Sequence, residues 1–168
     1  FILLIILMSN SEGFYSNRVD IVTNNSAFST AGILPGDEII KLESDKYSTT
    51  VSTFSDINFF NYRNGNNPVD VKYKRDGKVY EAKNISPIYD ENEQRYLYGF
   101  SVKIDEKNIL NIIKYSYHQS KFVVKTVFVS IIDLLTGKLG KNDISGPVGI
   151  VNEIGNTANN GILCLISL

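Results

Sequence analysis

The sequence predicts an α+β fold in which short strands and two helices form a partly open β-barrel or sandwich. Three observations support this prediction. Alternating apolar residues flank Asp76-Gly77, a dipeptide typical of a tight β-hairpin turn. Residues 53–64 carry apolar side chains at helical spacing between a Ser or Thr cap and Gly65. Ser26 precedes a second, shorter helical segment that ends at Gly32.

The remaining strands follow in order along the chain. Residues 18–22 alternate in polarity and predict the first strand. Leu34-Pro-Gly-Asp37 predicts a tight turn, because proline presets φ at the first central residue and glycine takes a positive φ at the next. The other predicted elements are a strand at 38–42, the hairpin strands at 69–73 and 79–85, a charged loop at 90–95 and a last strand at 96–103.

Composition limits the chemistry that this stretch can perform. The 168 residues have a formal net charge of -1, so no strongly basic surface predicts a nucleic-acid partner. One cysteine, Cys164, excludes an internal disulfide framework. One histidine, His118, cannot supply a zinc site with two histidines, and a serine-protease triad would depend on it alone.

Both ends of the chain are apolar. Residues 1–8 and 161–168 each supply less than half of the roughly 20 apolar residues that a spanning helix needs. The first run also fits a signal-peptide core or a buried strand, but neither an initial Met nor a basic stretch precedes it. We interpret the ends as truncated transmembrane helices, at 1–9 and 159–168, on either side of a soluble domain.

Residues 105–158 predict amphipathic helices associated with a membrane. Isoleucines recur at helical spacing after Asn108. The apolar stretch 122–135 is interrupted by Lys125 and Asp133, so it is too short and too charged to span a bilayer. A helix in the membrane interface fits it, with lysines reaching the headgroups. A buried helix of a soluble domain is the alternative.

The element order and the stretch Ala-Gly-Ile-Leu-Pro-Gly-Asp-Glu-Ile-Ile at 31–40 resemble a PDZ domain of the bacterial type, which would cover 15–104. In this stretch the glycines take backbone angles that cost other residues energy, and the aspartate accepts backbone hydrogen bonds in its turn. The roles that we assign are structural and not catalytic, and the residues are Ala31, Gly32, Pro35, Gly36 and Asp37.

Two further stretches resemble the site-2 proteases, which are RseP-like membrane-embedded zinc metalloproteases. Thr136-Gly-Lys138 followed by Ile144-Ser-Gly-Pro-Val-Gly-Ile-Val151 is similar to the family's segment between the PDZ domain and the third membrane helix. The apolar run before the PDZ domain is similar to the end of the second. We expect Ser145, Gly146 and Pro147 to make a turn at the membrane surface.

The family's zinc-binding motifs, His-Glu-x-x-His and Leu-Asp-Gly, do not occur in this sequence. The resemblance therefore implies that the catalytic residues and the ligands of Zn²⁺ lie outside it. We expect this stretch alone to bind no catalytic metal and to be inactive.

The resemblance implies regulated intramembrane proteolysis in a bacterial cell membrane. In the family, zinc-activated water cuts membrane-anchored substrates such as anti-sigma factors within the bilayer, with the motif's glutamate as general base. The PDZ domain is expected on the extracytoplasmic side, where it filters substrates by size or binds C-terminal stubs. The alternatives are a non-catalytic, membrane-tethered PDZ adaptor and the PDZ module of a soluble serine protease. The apolar ends and the missing triad oppose the latter.

A PDZ domain binds a peptide as an added strand and holds its carboxylate with backbone N–H groups. Tyr98-Gly99-Phe100 resembles the family's Gly-Leu-Gly-Phe carboxylate loop, displaced to the end of the domain as in a circular permutation. The expected groove wall is the helix that carries Phe54, Ile57 and Asn61. The alternative is that Gly99 marks a strand bend and that Phe100 belongs to the core.

Other reactive side chains receive no catalytic role. We expect His118, on a helix among tyrosines and lysines, to be solvated or interfacial. Asp37 and Glu38 are neighbours in a turn and do not converge on one bond. Cys164 lies in the apolar tail, and Ser145 has no evident base partner.

Overall fold

A computed structural model describes residues 1–91 and 95–136 of the chain. The chain divides into two compact units, residues 1–123 and residues 124–168. Several predicted features lie outside the described residues, namely the apolar run at 159–168 and Ser145, Gly146, Pro147 and Cys164.

The described residues form an α+β fold. The helices are α1 (Ile2–Ser9), α2 (Ala27–Thr30), α3 (Phe54–Asn64) and α4 (Ile109–Leu135). The strands are β1 (Gly13–Val22), β2 (Glu38–Glu43), β3 (Ser48–Thr50), β4 (Val69–Arg75), β5 (Lys78–Ile85), β6 (Ile88–Asp90), β7 (Arg95–Leu97) and β8 (Phe100–Glu106).

Six of these strands form one open sheet, in the order β5-β4-β2-β1-β8, with β3 also paired to β2. All of the pairings are antiparallel. The other two strands, β6 and β7, pair with each other in a separate hairpin. Strand β8 is therefore an edge of the described sheet, and an edge strand offers backbone groups to which another strand can pair. This open sheet fits a PDZ-like fold.

The β4–β5 hairpin is confirmed. Asp76 and Gly77 both have positive φ, 49° and 80°, as a type I′ turn requires. Arg75 and Lys78 are paired directly across the turn.

The predicted cap of α2 is confirmed, and Thr53 stands at the N-cap of α3, although its hydroxyl has no hydrogen-bond partner among the described residues. Ser26 caps α2 by accepting a hydrogen bond from the Ser29 N–H at 3.2 Å. At the start of α3, the Asp56 carboxylate accepts the N–H groups of Ser52 and Thr53 at 3.0 and 3.3 Å. These bonds satisfy backbone donors that a helix N-terminus otherwise leaves without partners.

The turn between α2 and β2 has the predicted geometry. Gly32 and Gly36 have φ of 75° and 94°, which is the left-handed region that favours glycine. The Leu34 N–H donates to Asp37 Oδ2 at 2.8 Å, so the aspartate binds backbone within its own turn, as expected.

The core lies between the sheet and the helices α2 and α3. The fully buried apolar side chains of this core come from strands, from the turn and from helices: Val19, Phe28, Ile33, Ile39, Ile57, Val69 and Val71.

Two predictions about the strands are wrong. Strand β1 begins at Gly13 rather than near Arg18, because Phe14 is buried against the Tyr115 ring at 4.7 Å. Residues 96–103 are not one strand. Tyr96 pairs with Tyr89 in the β6–β7 hairpin, and a positive φ of 73° at Gly99 separates this hairpin from β8. The charged segment 90–95 therefore includes strand ends and is not only a loop.

None of the helices in the described part of the chain is long and apolar enough to cross a membrane. Helix α1 is apolar, and no residue in it is buried. The interpretation of residues 1–9 as the end of a membrane helix stays a prediction.

The first part of α4 packs on the sheet unit. The Tyr115 hydroxyl donates to Asp105 Oδ2 at 2.7 Å, and burial is the main cause that raises the tyrosine's pKa. Farther along, Phe122 meets Phe59 of α3 edge-on, with 5.9 Å between ring centroids. The compact unit that contains the sheet therefore includes the beginning of α4.

His118 was expected to be solvated or interfacial, and its side chain is partly exposed. Its Nδ1 atom is buried, without a hydrogen-bond partner among the described residues. Burial lowers the pKa of His118, and the nearby charges of Lys114 and Lys121 lower it further against an opposing effect of Asp56.

Candidate functional site: a cleft between helix α3 and strand β8

A cleft of about 650 Å³ opens in the first unit, between α3 and the start of β8. Helix α3 contributes Phe54, Asn58, Asn61 and Tyr62, and its C-cap residue Gly65 also lines the cleft. The opposite side is formed by Thr23 and by Tyr98-Gly99-Phe100. The β6–β7 hairpin adds a third wall with Asp90, Tyr96 and Leu97.

Five of the six residues predicted for the peptide groove line this cleft: Phe54, Asn61, Tyr98, Gly99 and Phe100. The sixth, Ile57, does not, because it is 1% exposed and faces the core. The structure thus brings the predicted loop and helix together, and their role in binding a peptide stays a prediction.

Helix α3 runs antiparallel to β8 along the cleft. At its beginning, Phe54 lies 6.0 Å from the ring of Tyr15, which is paired with Ile104 on β8. At its end, the Asn64 amide lies beside the Tyr98 hydroxyl. From Phe54 to Asn64 the helix rises about 15 Å along its axis. An extended peptide of about five residues has the same length.

The loop at Gly99 is fixed against α2. The N–H of Phe28 donates to the Tyr98 carbonyl at 3.1 Å, and the N–H of Thr23 donates to the Gly99 carbonyl at 2.9 Å. The Phe28 ring also stacks on Phe100, with centroids 4.3 Å apart. A Cβ at Gly99 would lie 2.2 Å from the Ser26 Cβ, so only glycine fits here.

These bonds determine where two successive N–H groups point. In a trans peptide the carbonyl and the following N–H point in opposite directions, so the Gly99 N–H points away from Phe28. Phe100 is paired with Val22 of β1, and the adjacent residues Gly99 and Thr23 share a hydrogen bond. In an antiparallel ladder this arrangement identifies Phe100 and Val22 as a non-hydrogen-bonded pair. The Phe100 N–H therefore points to the outer edge of β8.

Polar atoms without partners lie at the same end of the cleft. Asn61 Oδ1 and the Tyr98 hydroxyl belong to residues that line the cleft, and both are buried without an aligned hydrogen bond within the described residues. Burial raises the pKa of Tyr98, against a smaller effect of Asn64. A buried polar atom without a partner costs about 1–3 kcal/mol, so this end of the cleft is suited to a ligand that offers hydrogen bonds.

The described residues contain no group of three or more His, Cys, Asp or Glu side chains that could hold a metal ion. They do not fit a catalytic zinc, so no step of zinc chemistry is assigned to this chain.

Sequence reasoning missed part of the cleft. Asn58 follows Phe54 by four residues and precedes Asn61 by three, so helical spacing could have placed it on the same face. The hairpin wall, with Asp90 and Tyr96, had no such local signal.

Nearly the whole chain aligns with bacterial proteins named as zinc metalloproteases. One from Clostridium acetobutylicum, named "putative zinc metalloprotease", is 33% identical over 162 residues, which are 96% of this chain and 46% of that protein. One of the same description from Clostridium perfringens is 30% identical, over 98% of this chain and 48% of that protein. The resemblance to the site-2 protease family is confirmed.

A relative of known name is the regulator of sigma-W protease RasP of Bacillus subtilis, which is 26% identical over 96% of this chain and 38% of that protein. The chain matches no protein-family profile. It spans less than half the length of each of these three relatives of the site-2 protease family.

Proposed function

We propose that this chain is the PDZ-like, substrate-recognising part of an intramembrane zinc metalloprotease. The intact protein would cut membrane-anchored proteins, such as anti-sigma factors, in a bacterial cell membrane. The cleft would bind the C-terminal stub of a substrate that another protease has already trimmed, on the extracytoplasmic side. The zinc and its ligands would come from parts of the protein outside this chain.

The observation that carries the peptide-binding proposal is the direction of two N–H groups. The Gly99 N–H points away from Phe28, which binds the Tyr98 carbonyl. The Phe100 N–H points away from Thr23, which binds the Gly99 carbonyl. Two successive N–H groups that converge form a concavity that suits an anion. An extended peptide that pairs with the edge strand β8 would bring such an anion, its terminal carboxylate, to the start of that strand.

The remainder of the peptide would pair with β8. It would run antiparallel to β8, with its end at Gly99, so that about five residues fill the distance to Ile104. Side chains on one face of this added strand would contact α3, where Phe54 and Tyr62 offer aromatic surface.

Exposed apolar side chains support an association with lipid. Helix α1 presents Ile2, Leu3 and Ile6. In the described part of the second unit, α4 presents Val124, Val127, Phe128 and Ile131. Large exposed apolar patches mark sites of membrane or protein contact. We propose that residues 105–158 lie at the bilayer surface.

The test of peptide binding uses the 168-residue chain and peptides of about five residues, each as the free acid and as the C-terminal amide. We expect the free acid to bind and the amide to bind at least about tenfold more weakly, because hydrogen bonds to a charged group are the stronger ones. Equal affinity for the two forms would reject the carboxylate site.

The test of the protease proposal uses the intact gene product. We expect it to contain His-Glu-x-x-His upstream and Leu-Asp-Gly downstream of this stretch, and to cut a membrane-anchored substrate in a zinc-dependent way. An intact protein without either motif, and without cleavage, would favour the membrane-tethered adaptor instead.

A further inference from the structure

One wall of the cleft carries a side-chain amide whose oxygen has no hydrogen-bond partner among the described residues. Asn61 lines the cleft, and its Oδ1 is buried without a hydrogen bond among the described residues. A half-turn about the last torsion of an asparagine exchanges its oxygen and nitrogen. The side chain can therefore present either a donor or an acceptor to a bound group.

Asn61 lies at the end of the cleft where a peptide would terminate. Helix α3 begins near Ile104, because Phe54 contacts the ring of Tyr15 and Tyr15 is paired with Ile104. It ends opposite Tyr98, beside which Asn64 lies. Asn61 is one turn before Asn64 and so faces the region of Gly99, where the carboxylate would be held.

The surroundings of Asn61 are mainly apolar. Tyr62, Tyr96, Leu97 and Phe100 line the same cleft, and none of the lining residues is cationic. A small side chain that combines a methyl group with a hydroxyl would contact the rings and bind the amide as well.

We propose that Asn61 selects peptides whose last residue carries a hydroxyl, Thr or Ser, over their apolar counterparts Val and Ala. This assignment rests on the proposed carboxylate site. A hydroxyl is both donor and acceptor, so it satisfies the amide in either orientation. A terminal Val of the same shape would leave the amide buried without a partner.

The experiment compares acetylated alanine-rich peptides of about five residues that differ only in their last residue, Thr or Val, on the 168-residue chain. We expect Thr to bind roughly 3- to 10-fold more tightly, the effect of one net hydrogen bond. Asn61→Leu, which keeps the size of the side chain, should remove this preference, and Asn61→Ala should do the same. Asn66→Leu, at an exposed position that does not line the cleft, should retain it.

Amidated forms of both peptides separate the two hypotheses. If free acids bind better than amides but Val binds as well as Thr, the carboxylate site stands and the role of Asn61 is rejected. A terminal Lys that binds more tightly than Thr would also reject the role of Asn61. If amides bind as well as free acids, or if no peptide binds to the folded chain, the proposed function fails and this assignment with it.

Discussion

Arg75 on β4 holds the buried carboxylate of Asp37 through two hydrogen bonds, from Nε to Oδ1 and from Nη2 to Oδ2, each 2.7 Å long. Nη2 also donates to the Gly32 carbonyl at 2.9 Å. The hydrogen bond with Asp37 raises the pKa of the guanidinium. This pair joins the turn before β2 to the hairpin, two regions that are far apart in sequence.

Replacing Arg75 with Met should lower the free energy of unfolding by about 3 kcal/mol, because it leaves a carboxylate that is 1% exposed without its cation. Urea unfolding of the two chains measures the difference. Lys83→Met is the matched control, since Lys83 is 69% exposed and lies 3.9 Å from Glu81. It should cost less than about 1 kcal/mol. Equal losses for both variants would contradict the role of the buried pair.

Replacing Gly99 with Ala should abolish peptide binding and reduce stability by about 3 kcal/mol, the sum of a left-handed φ and a close contact with Ser26. Gly77→Ala is the control. Its φ is also positive, but nothing lies within 4 Å of the added Cβ. We expect this control to cost only about 1–2 kcal/mol and to leave binding unchanged. Calorimetric titration and thermal unfolding give both quantities, and binding retained by Gly99→Ala would refute the loop assignment.

Replacing Tyr115 with Ala should destabilise the sheet unit by about 3–5 kcal/mol, because its buried ring stacks on Phe14 and its hydroxyl binds Asp105. Tyr117, two residues along the same helix, is 54% exposed. Its replacement with Ala should change stability by about 0.5 kcal/mol or less. Chemical unfolding followed by circular dichroism measures both. Similar small effects would show that the start of α4 does not stabilise the sheet unit.

Stability should fall in mild acid because of His118. Its pKa in the folded chain is lowered, so the unfolded chain takes up the proton more readily. Stability is therefore lost as the pH falls below about 6.5, the ordinary histidine value, and is regained above it. The chain has no other histidine, so His118→Gln should flatten the profile between about pH 5 and pH 7. Unfolding free energies at both ends of this range give the comparison, and an unchanged slope in the variant would contradict the effect.

Features that depend on a few neighbouring residues could be predicted from the sequence. The Asp76-Gly77 hairpin, the Ser26 cap and the turn at Gly36 are found where expected. In each of them the backbone conformation is fixed by the residue itself and by hydrogen bonds within a few positions. The resemblance to site-2 proteases rested on the same kind of local motif, and homology confirms it.

The site was predictable only in part. The Tyr98-Gly99-Phe100 loop and α3 were identified as cleft walls, since a glycine between aromatic residues and a helical apolar pattern are visible in the sequence. Ile57 was assigned to the groove because helical spacing alone does not distinguish the face toward the core from the face toward a cleft.

The sequence by itself determined the turns, the caps and the alternating strands of this protein, because their energies depend on local contacts. Only the tertiary structure decided that Arg75 meets Asp37, that the β6–β7 hairpin walls the cleft and that Tyr115 fastens α4 to Phe14. Those contacts join residues distant in the chain. They form where burial of apolar surface brings the elements together, and no local pattern encodes which partner each side chain then finds.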